Sequence, residues 1–159
     1  MQSLLTAAAD RRVAFLRNFH TMLARAASRT SPAAFVLPAF QTDPGAAKHL
    51  LETLAFGAVE VERATSEFAA QGRTYPAGSY VVRMTQPFSP FAKTLLEKQD
   101  YPDLRLYPGG PPKRPYDVTA HTLPLLMGVE VDQINSELAA RTEPVHSFAF
   151  RSEERRVGK

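Results

Sequence analysis

The stretch from Ala34 to Ala64 does most to limit what this chain can become. Ala34-Phe35-Val36-Leu37 is an unbroken apolar run, the mark of a strand buried on both faces. Asp43-Pro44 supplies a helix N-cap and a proline at the first helical position. Ala47, Leu50, Leu51 and Leu54 follow at helical spacing, and Gly57 is placed to end the helix. Val59-Glu60-Val61-Glu62 alternates apolar and acidic, the pattern of a strand with one wet face. Strand, helix and strand over about thirty residues make a βαβ unit with a right-handed crossover. The expected fold class is therefore α/β: a βαβ-based sheet with flanking helices.

The 159 residues suffice for one domain with a real core. A hydrophobic content of 44% against 22% charged residues predicts packing rather than disorder. The formal net charge is +3, and two of those charges come from the last nine residues, where Arg151, Arg155, Arg156 and Lys159 face Glu153 and Glu154. The basic balance is thus largely a tail effect and does not point to nucleic acid. Absence of cysteine removes disulfides, thiolate metal sites and a cysteine nucleophile. No apolar run approaches the ~18 residues of a membrane helix, so no membrane partner is expected. Asp10-Arg11-Arg12 interrupts any apolar core that a signal peptide would need.

Along the chain, residues 2–27 read as one helix. Leu5, Ala9, Leu16, Phe19, Leu23 and Ala26 form an apolar stripe, and Arg11, Arg12, Arg17 and Arg25 occupy other faces. The helix has no clear start signal, and its stripe is expected to pack partly against something outside the chain. After the βαβ unit, Phe68 to Met84 reads as a hairpin. Gln71-Gly72 is one turn and Pro76-Ala77-Gly78 a type II turn. Pro87 opens a helix with Phe88, Phe91, Ala92, Leu95 and Leu96 inward, and Pro90 is tolerable within its first turn. Tyr101 to Tyr116, rich in proline and holding Gly109-Gly110, reads as an ordered irregular loop. Asp117 or Thr119 can cap a short helix through Met127, which Pro124 should strain and Gly128 should end. Val129 to Val131 is a candidate strand, Asp132 to Ala140 a weak helix, and Val145 to Phe150 a last strand. Arg151 to Lys159, almost without apolar residues, reads as a disordered tail, either native or foreign to the natural sequence.

Several constellations carry possible chemistry, each beside a plainer explanation. His49 and Glu52 have the His-x-x-Glu spacing of zinc ligands. The helix phase, however, turns both away from the apolar face that Ala47, Leu50, Leu51 and Leu54 define. His121 near Asp117 could act as a base or third ligand, but a structural histidine is the plainer reading. Ser79 follows Gly78 without the flanking glycines of a nucleophile elbow. Tyr107-Pro108-Gly109-Gly110 with Lys113-Arg114 can present backbone N–H groups and two cations to an anion, against a tight turn with solvated charges. Tyr107, Gly109, Gly110, Lys113, Arg114 and Asp117 are the candidate ligand or domain contacts; no catalytic and no metal residue is assigned.

Three longer phrases occur together and in order: Phe35-Val36-Leu37-Pro38-Ala39 leading to Thr42-Asp43-Pro44-Gly45-Ala46-Ala47; Gly72-Arg73-Thr74-Tyr75-Pro76-Ala77-Gly78-Ser79-Tyr80-Val81-Val82; and the run from Arg105-Leu106-Tyr107-Pro108-Gly109-Gly110 to Met127-Gly128-Val129-Glu130-Val131. Over about residues 1–135 the chain resembles the region after the catalytic domain in bacterial zinc carboxypeptidase family proteins of the carboxypeptidase A type. The resemblance implies an α/β region, in places likened to a glutamine-amidotransferase-like fold, following a zinc peptidase domain in an exported or periplasmic parent. It implies that zinc and the His-x-x-Glu and later His ligands belong to that preceding peptidase domain, where metal-activated water cleaves C-terminal peptide bonds. None of those ligands carries over to this chain, and the cysteine of true amidotransferases is missing. The expected organisation is a helix over 1–29 continuing from the peptidase domain, a partial α/β domain over 30–150, and the tail over 151–159. The expected role is a non-catalytic segment of such a protein. The alternatives are a binding module for peptide or glycan carboxylates, using Lys113 and Arg114, or a small autonomous hydrolase using His49, Glu52 and His121.

Overall fold

The computed structural model describes residues 2–99, 102–114 and 122–152. The first helix is interrupted: α1 spans Gln2–Asp10 and α2 spans Arg12–Ala27, with Arg11 between them. The interruption is slight, since the Arg11 N–H still donates to the Ala7 carbonyl and Phe15 to Arg11. β1 (Ala34–Leu37) is buried along its whole length, as an apolar run without polar alternation requires. A short β2 (Phe40–Gln41), not expected from sequence, leads to α3 (Pro44–Phe56).

Helix α3 begins as its sequence dictates. The Asp43 carboxylate accepts from the Ala46 N–H at 2.9 Å, and Pro44 occupies the first turn. It ends at Gly57 as expected, but not through a left-handed glycine. Gly57 has a negative φ, and the left-handed residue is Ala58, with φ +59°. The Val59 N–H reaches the Leu54 carbonyl and the Ala58 N–H the Ala55 carbonyl, the paired bonds of a Schellman ending with alanine where glycine is usual. Gly57 is needed for a different reason: a Cβ there would lie 2.2 Å from the Phe91 ring. Its missing side chain admits the neighbouring helix.

β3 is Glu62–Ala64, later than the alternation at 59–62 suggested. Val59 and Val61 are nonetheless buried, and a side chain takes the place of a strand partner beside them. Gln86, itself buried, accepts from the Glu60 N–H at 2.7 Å and donates to the carbonyls of Glu60 and Arg83. The region 68–84 is a small hairpin plus a strand of the main sheet. β4 (Phe68–Ala70) pairs with β5 (Arg73–Tyr75) across Gln71-Gly72, both with positive φ as a type I′ turn needs. β6 (Tyr80–Arg83) follows the Pro76-Ala77-Gly78 turn, in which Gly78 has φ +90°.

Helix α4 is Ser89–Leu96, with Ala92 and Leu96 buried but Phe88 and Phe91 still partly exposed. Helix α5 (Leu123–Met127) ends at Gly128 with φ +63°. Pro124 does not strain it, because the proline falls in the first turn, where no N–H partner is lost. The proposed caps Asp117 and Thr119 lie outside the described residues. The weak helix over 132–140 is instead β7 (Asp132–Ile134) followed by irregular chain. The expected strand over 145–150 is displaced to β8 (Thr142–Pro144), and Phe148 and Phe150 pack against Tyr80 from beyond it. β9 (Arg151–Ser152) pairs in parallel with β2, so the first residues of the expected disordered tail join a ladder.

The main sheet has the order β7-β1-β6-β3-β8, with every neighbouring pair antiparallel. β1 and β3 therefore run in the same direction, as the βαβ reading requires, but β6 is inserted between them. The unit is split, and the sheet is antiparallel rather than parallel. The fold is thus α/β in the broad sense, with a five-stranded antiparallel sheet and helices. One face carries Phe35, Leu37, Tyr80, Val82 and Met84 against Leu50, Leu51 and Leu54 of α3 and Ala92 and Leu96 of α4. The other carries Ala34, Val36 and Val81 against Phe68 and Tyr75 of the β4–β5 hairpin, with Ile134 and Leu138. Cover on both faces explains why β1 and β6 are so apolar.

Candidate functional site

The proline-rich loop is a miniature hairpin. Arg105 and Pro112 form an isolated bridge, the Leu106 N–H donates to the Pro111 carbonyl, and the Lys113 N–H donates to the Leu104 carbonyl at 2.7 Å. At its tip the Gly110 N–H donates to the Tyr107 carbonyl at 2.8 Å, with Pro108 and Gly109 between them and Gly109 at φ +75°. These are the residue types of a type II turn. The Tyr107 ring lies over Gly110, where a Cβ would come within 2.7 Å. The Arg105 guanidinium closes the loop through the Gly110 carbonyl and Asp103.

The structure thus brings Tyr107, Gly109 and Gly110 together in one turn and places Lys113 and Arg114 on the returning limb. All except Gly110 are exposed. The Gly110 N–H, one candidate anion donor, is already used by the turn itself. Asp117, the sixth candidate, and His121 lie outside the described residues.

His49 and Glu52 do not fit a zinc site. Both are exposed on α3, and Glu52 pairs with Lys48 at 3.6 Å. Among the described residues no three histidine, aspartate or glutamate side chains gather as metal ligands. Ser79 is fully buried; its hydroxyl accepts from the Ala39 N–H at 3.1 Å and donates to the Pro76 carbonyl at 2.8 Å. Both capacities are spent on holding the turn before β6, which leaves no free nucleophile.

Sequence reasoning missed a charged cluster on the other sheet face. Arg73 of β5 contacts Glu130 at 2.6 Å and Asp132 of β7 at 2.7 Å, and the Tyr75 hydroxyl donates to the same Asp132 oxygen at 2.8 Å. The Arg73 guanidinium also lies 5.3 Å from the centre of the Tyr75 ring. Burial, followed by the hydrogen bond to Asp132, pushes the Tyr75 phenol well above its ordinary pKa. The hydrogen bond to Glu130 outweighs desolvation and raises Arg73 further. Gln71 adds bonds to the Gln133 carbonyl and the Asn135 N–H. Together these contacts fasten the β4–β5 hairpin to an edge strand nearly sixty positions later in the chain, a separation that no local signal reports.

Among the described residues, the N-terminal helices carry a run of exposed apolar side chains. Leu4, Leu5, Val13, Phe15, Leu16, Phe19 and Met22 are all more than half exposed. Phe15, Phe19, Met22 and Ala26 lie on one helical face. Only Ala26 on that face is buried, where the Ser89 hydroxyl of α4 donates to its carbonyl at 3.3 Å. Lone exposed apolar residues are ordinary; several at helical spacing on one face are less so. Neither a family model nor a curated protein nor a solved structure matches the chain.

Proposed function

We propose that this chain is the non-catalytic α/β segment that follows the peptidase domain in a zinc carboxypeptidase-like protein, and that it supports or extends that domain. The exposed stripe Phe15–Phe19–Met22 is the single observation that carries the reading: it continues a helical face whose last turn is already packed on α4. The family resemblance supplies the identity of the cover. The loop carrying Tyr107, Lys113 and Arg114 is a second surface available to the same neighbour. In the parent, a zinc-bound water would cleave C-terminal peptide bonds, and this chain would contribute no ligand to that metal.

The test is docking onto a separately expressed peptidase domain of the carboxypeptidase A type taken from a parent of the same architecture. A stable complex is expected by size-exclusion chromatography, lost on Phe15→Glu with Phe19→Glu. Failure to associate, or association indifferent to those changes, would overturn the reading. So would release of C-terminal residues from a blocked dipeptide by the purified, zinc-supplied chain alone.

A further inference from the structure

A cleft of about 470 Å³ opens at the carboxyl ends of β1 and β3, beside the start of β6. Its walls include Ala39, Phe40, Thr65 and Gly78, and two charged residues, Arg63 and Glu143, reach it from adjacent strands. We propose that this cleft binds a small zwitterionic α-amino acid, with Arg63 taking the carboxylate and Glu143 the ammonium group. The inference goes beyond the proposed function and does not depend on it.

Placement is the first argument. β1 and β3 run in the same direction on either side of β6, so their carboxyl ends and the turn that enters β6 meet on one rim of the sheet, and the cleft lies there. Charge is the second. Arg63 and Glu143 are directly opposed in the β3–β8 register, which sets their Cβ atoms about 4.5–5.5 Å apart. Both are exposed, and among the described residues neither side chain has a hydrogen-bond or ion-pair partner. Glu62, the residue before Arg63 on β3, and Arg83 on the neighbouring β6 show the alternative: their charges are spent on each other at 2.9 Å. The cleft thus offers one uncommitted cation and one uncommitted anion, side by side.

That pairing selects the ligand. A phosphate or simple carboxylate would gain Arg63 but meet Glu143, and a simple amine the reverse. Only a ligand carrying both charges a few ångströms apart satisfies both. Shape agrees. Gly78, at φ +90°, lies under the Arg63 guanidinium; a Cβ there would sit 3.3 Å from Nη2. Alanines at 39, 64 and 77 keep the walls short, leaving room for a small side chain. The wall is also held in advance of binding, because Ser79 ties the Ala39 N–H to the Pro76 carbonyl.

The experiment is an amide NMR titration of the full chain with L-alanine, N-acetyl-L-alanine and L-alaninamide. Alanine should shift the signals of Ala39, Thr65, Gly78 and Glu143, and each blocked analogue, lacking one charge, should bind at least about tenfold more weakly. Arg63→Gln should abolish the alanine response, and Glu143→Gln should reduce alanine to the level of its N-acetyl form, with core amide signals unchanged in both. Silence of the cleft signals at millimolar alanine overturns the proposal. So does equal binding of the blocked analogues to the unaltered chain, a comparison that needs no variant to fold.

Discussion

Helices α2 and α3 carry apolar stripes of the same kind and meet opposite fates. Ala47, Leu50, Leu51 and Leu54 of α3 are completely buried, whereas Phe15, Leu16, Phe19 and Met22 of α2 stand in solvent. Periodicity shows that a helix has a face to hide; it does not show where the cover comes from. α3 is flanked by strands that bring the sheet to it. α2 meets the rest of the fold at its last turn, so Ala26 is the one residue of its stripe that is buried.

The comparison breaks most visibly under truncation. Leu54→Ala should cost about 2–5 kcal/mol of unfolding free energy, because a fully enclosed side chain leaves a cavity. Phe19→Ala, though it removes more atoms, should change the same unfolding free energy, measured by denaturant titration, by no more than about 0.5 kcal/mol. A large loss at Phe19 in the isolated chain would mean that α2 is covered after all.

Next in size is the contact that joins α3 to α4. Gly57→Ala forces a methyl group into the Phe91 ring and should cost about 1–3 kcal/mol. Adding Phe91→Ala should return part of that loss, a coupling that a double-mutant cycle measures. Loss of one hydrogen bond comes third: Tyr75→Phe should cost about 1 kcal/mol and leave Asp132 to Arg73 alone.

The same tyrosine sets a pH dependence. Its phenol titrates above the ordinary value of 10.0 in the folded state, so the stabilisation is complete below that pH. Above it the unfolded chain loses its proton first, and stability should fall until the folded phenol also ionises. Thermal melts of Tyr75→Phe should show a shallower alkaline decline than the unaltered chain. The smallest effect expected is a gain: Ala58→Gly relieves a left-handed alanine at the end of α3 and should add about 0.5 kcal/mol, the remainder after the flexibility glycine gives the unfolded chain.

Much of the fold was legible where a local rule acts alone. Asp43-Pro44 starts α3, Gln71-Gly72 makes a two-residue turn, and the apolar run at 34–37 is a strand enclosed on both sides. Reading failed where a distant partner decides. Asp132-Gln133-Ile134 has no strong strand pattern, yet β1 offers it an open ladder and Ile134 a place in the core. The insertion of β6 between β1 and β3 likewise depends on pairing that sequence spacing does not encode. At Gly57 the residue and the boundary were legible but not the cause, which is a ring from another helix. The candidate loop was legible as a turn, since Pro108-Gly109 carries its own geometry. The cluster of Arg73, Tyr75, Glu130 and Asp132 was not, because its members are gathered only by the closed sheet.

The strand order has a consequence for biosynthesis. β1, β6 and β3 can associate once roughly the first half of the chain has left the ribosome, but both rims of that three-stranded ribbon stay bare. β7 and β8, which seal them, are made within a dozen residues of each other and late, and Pro144 sits on the outer rim where a missing N–H is harmless. A nascent chain halted between Met84 and Val131 would therefore leave both borders without a partner strand at once.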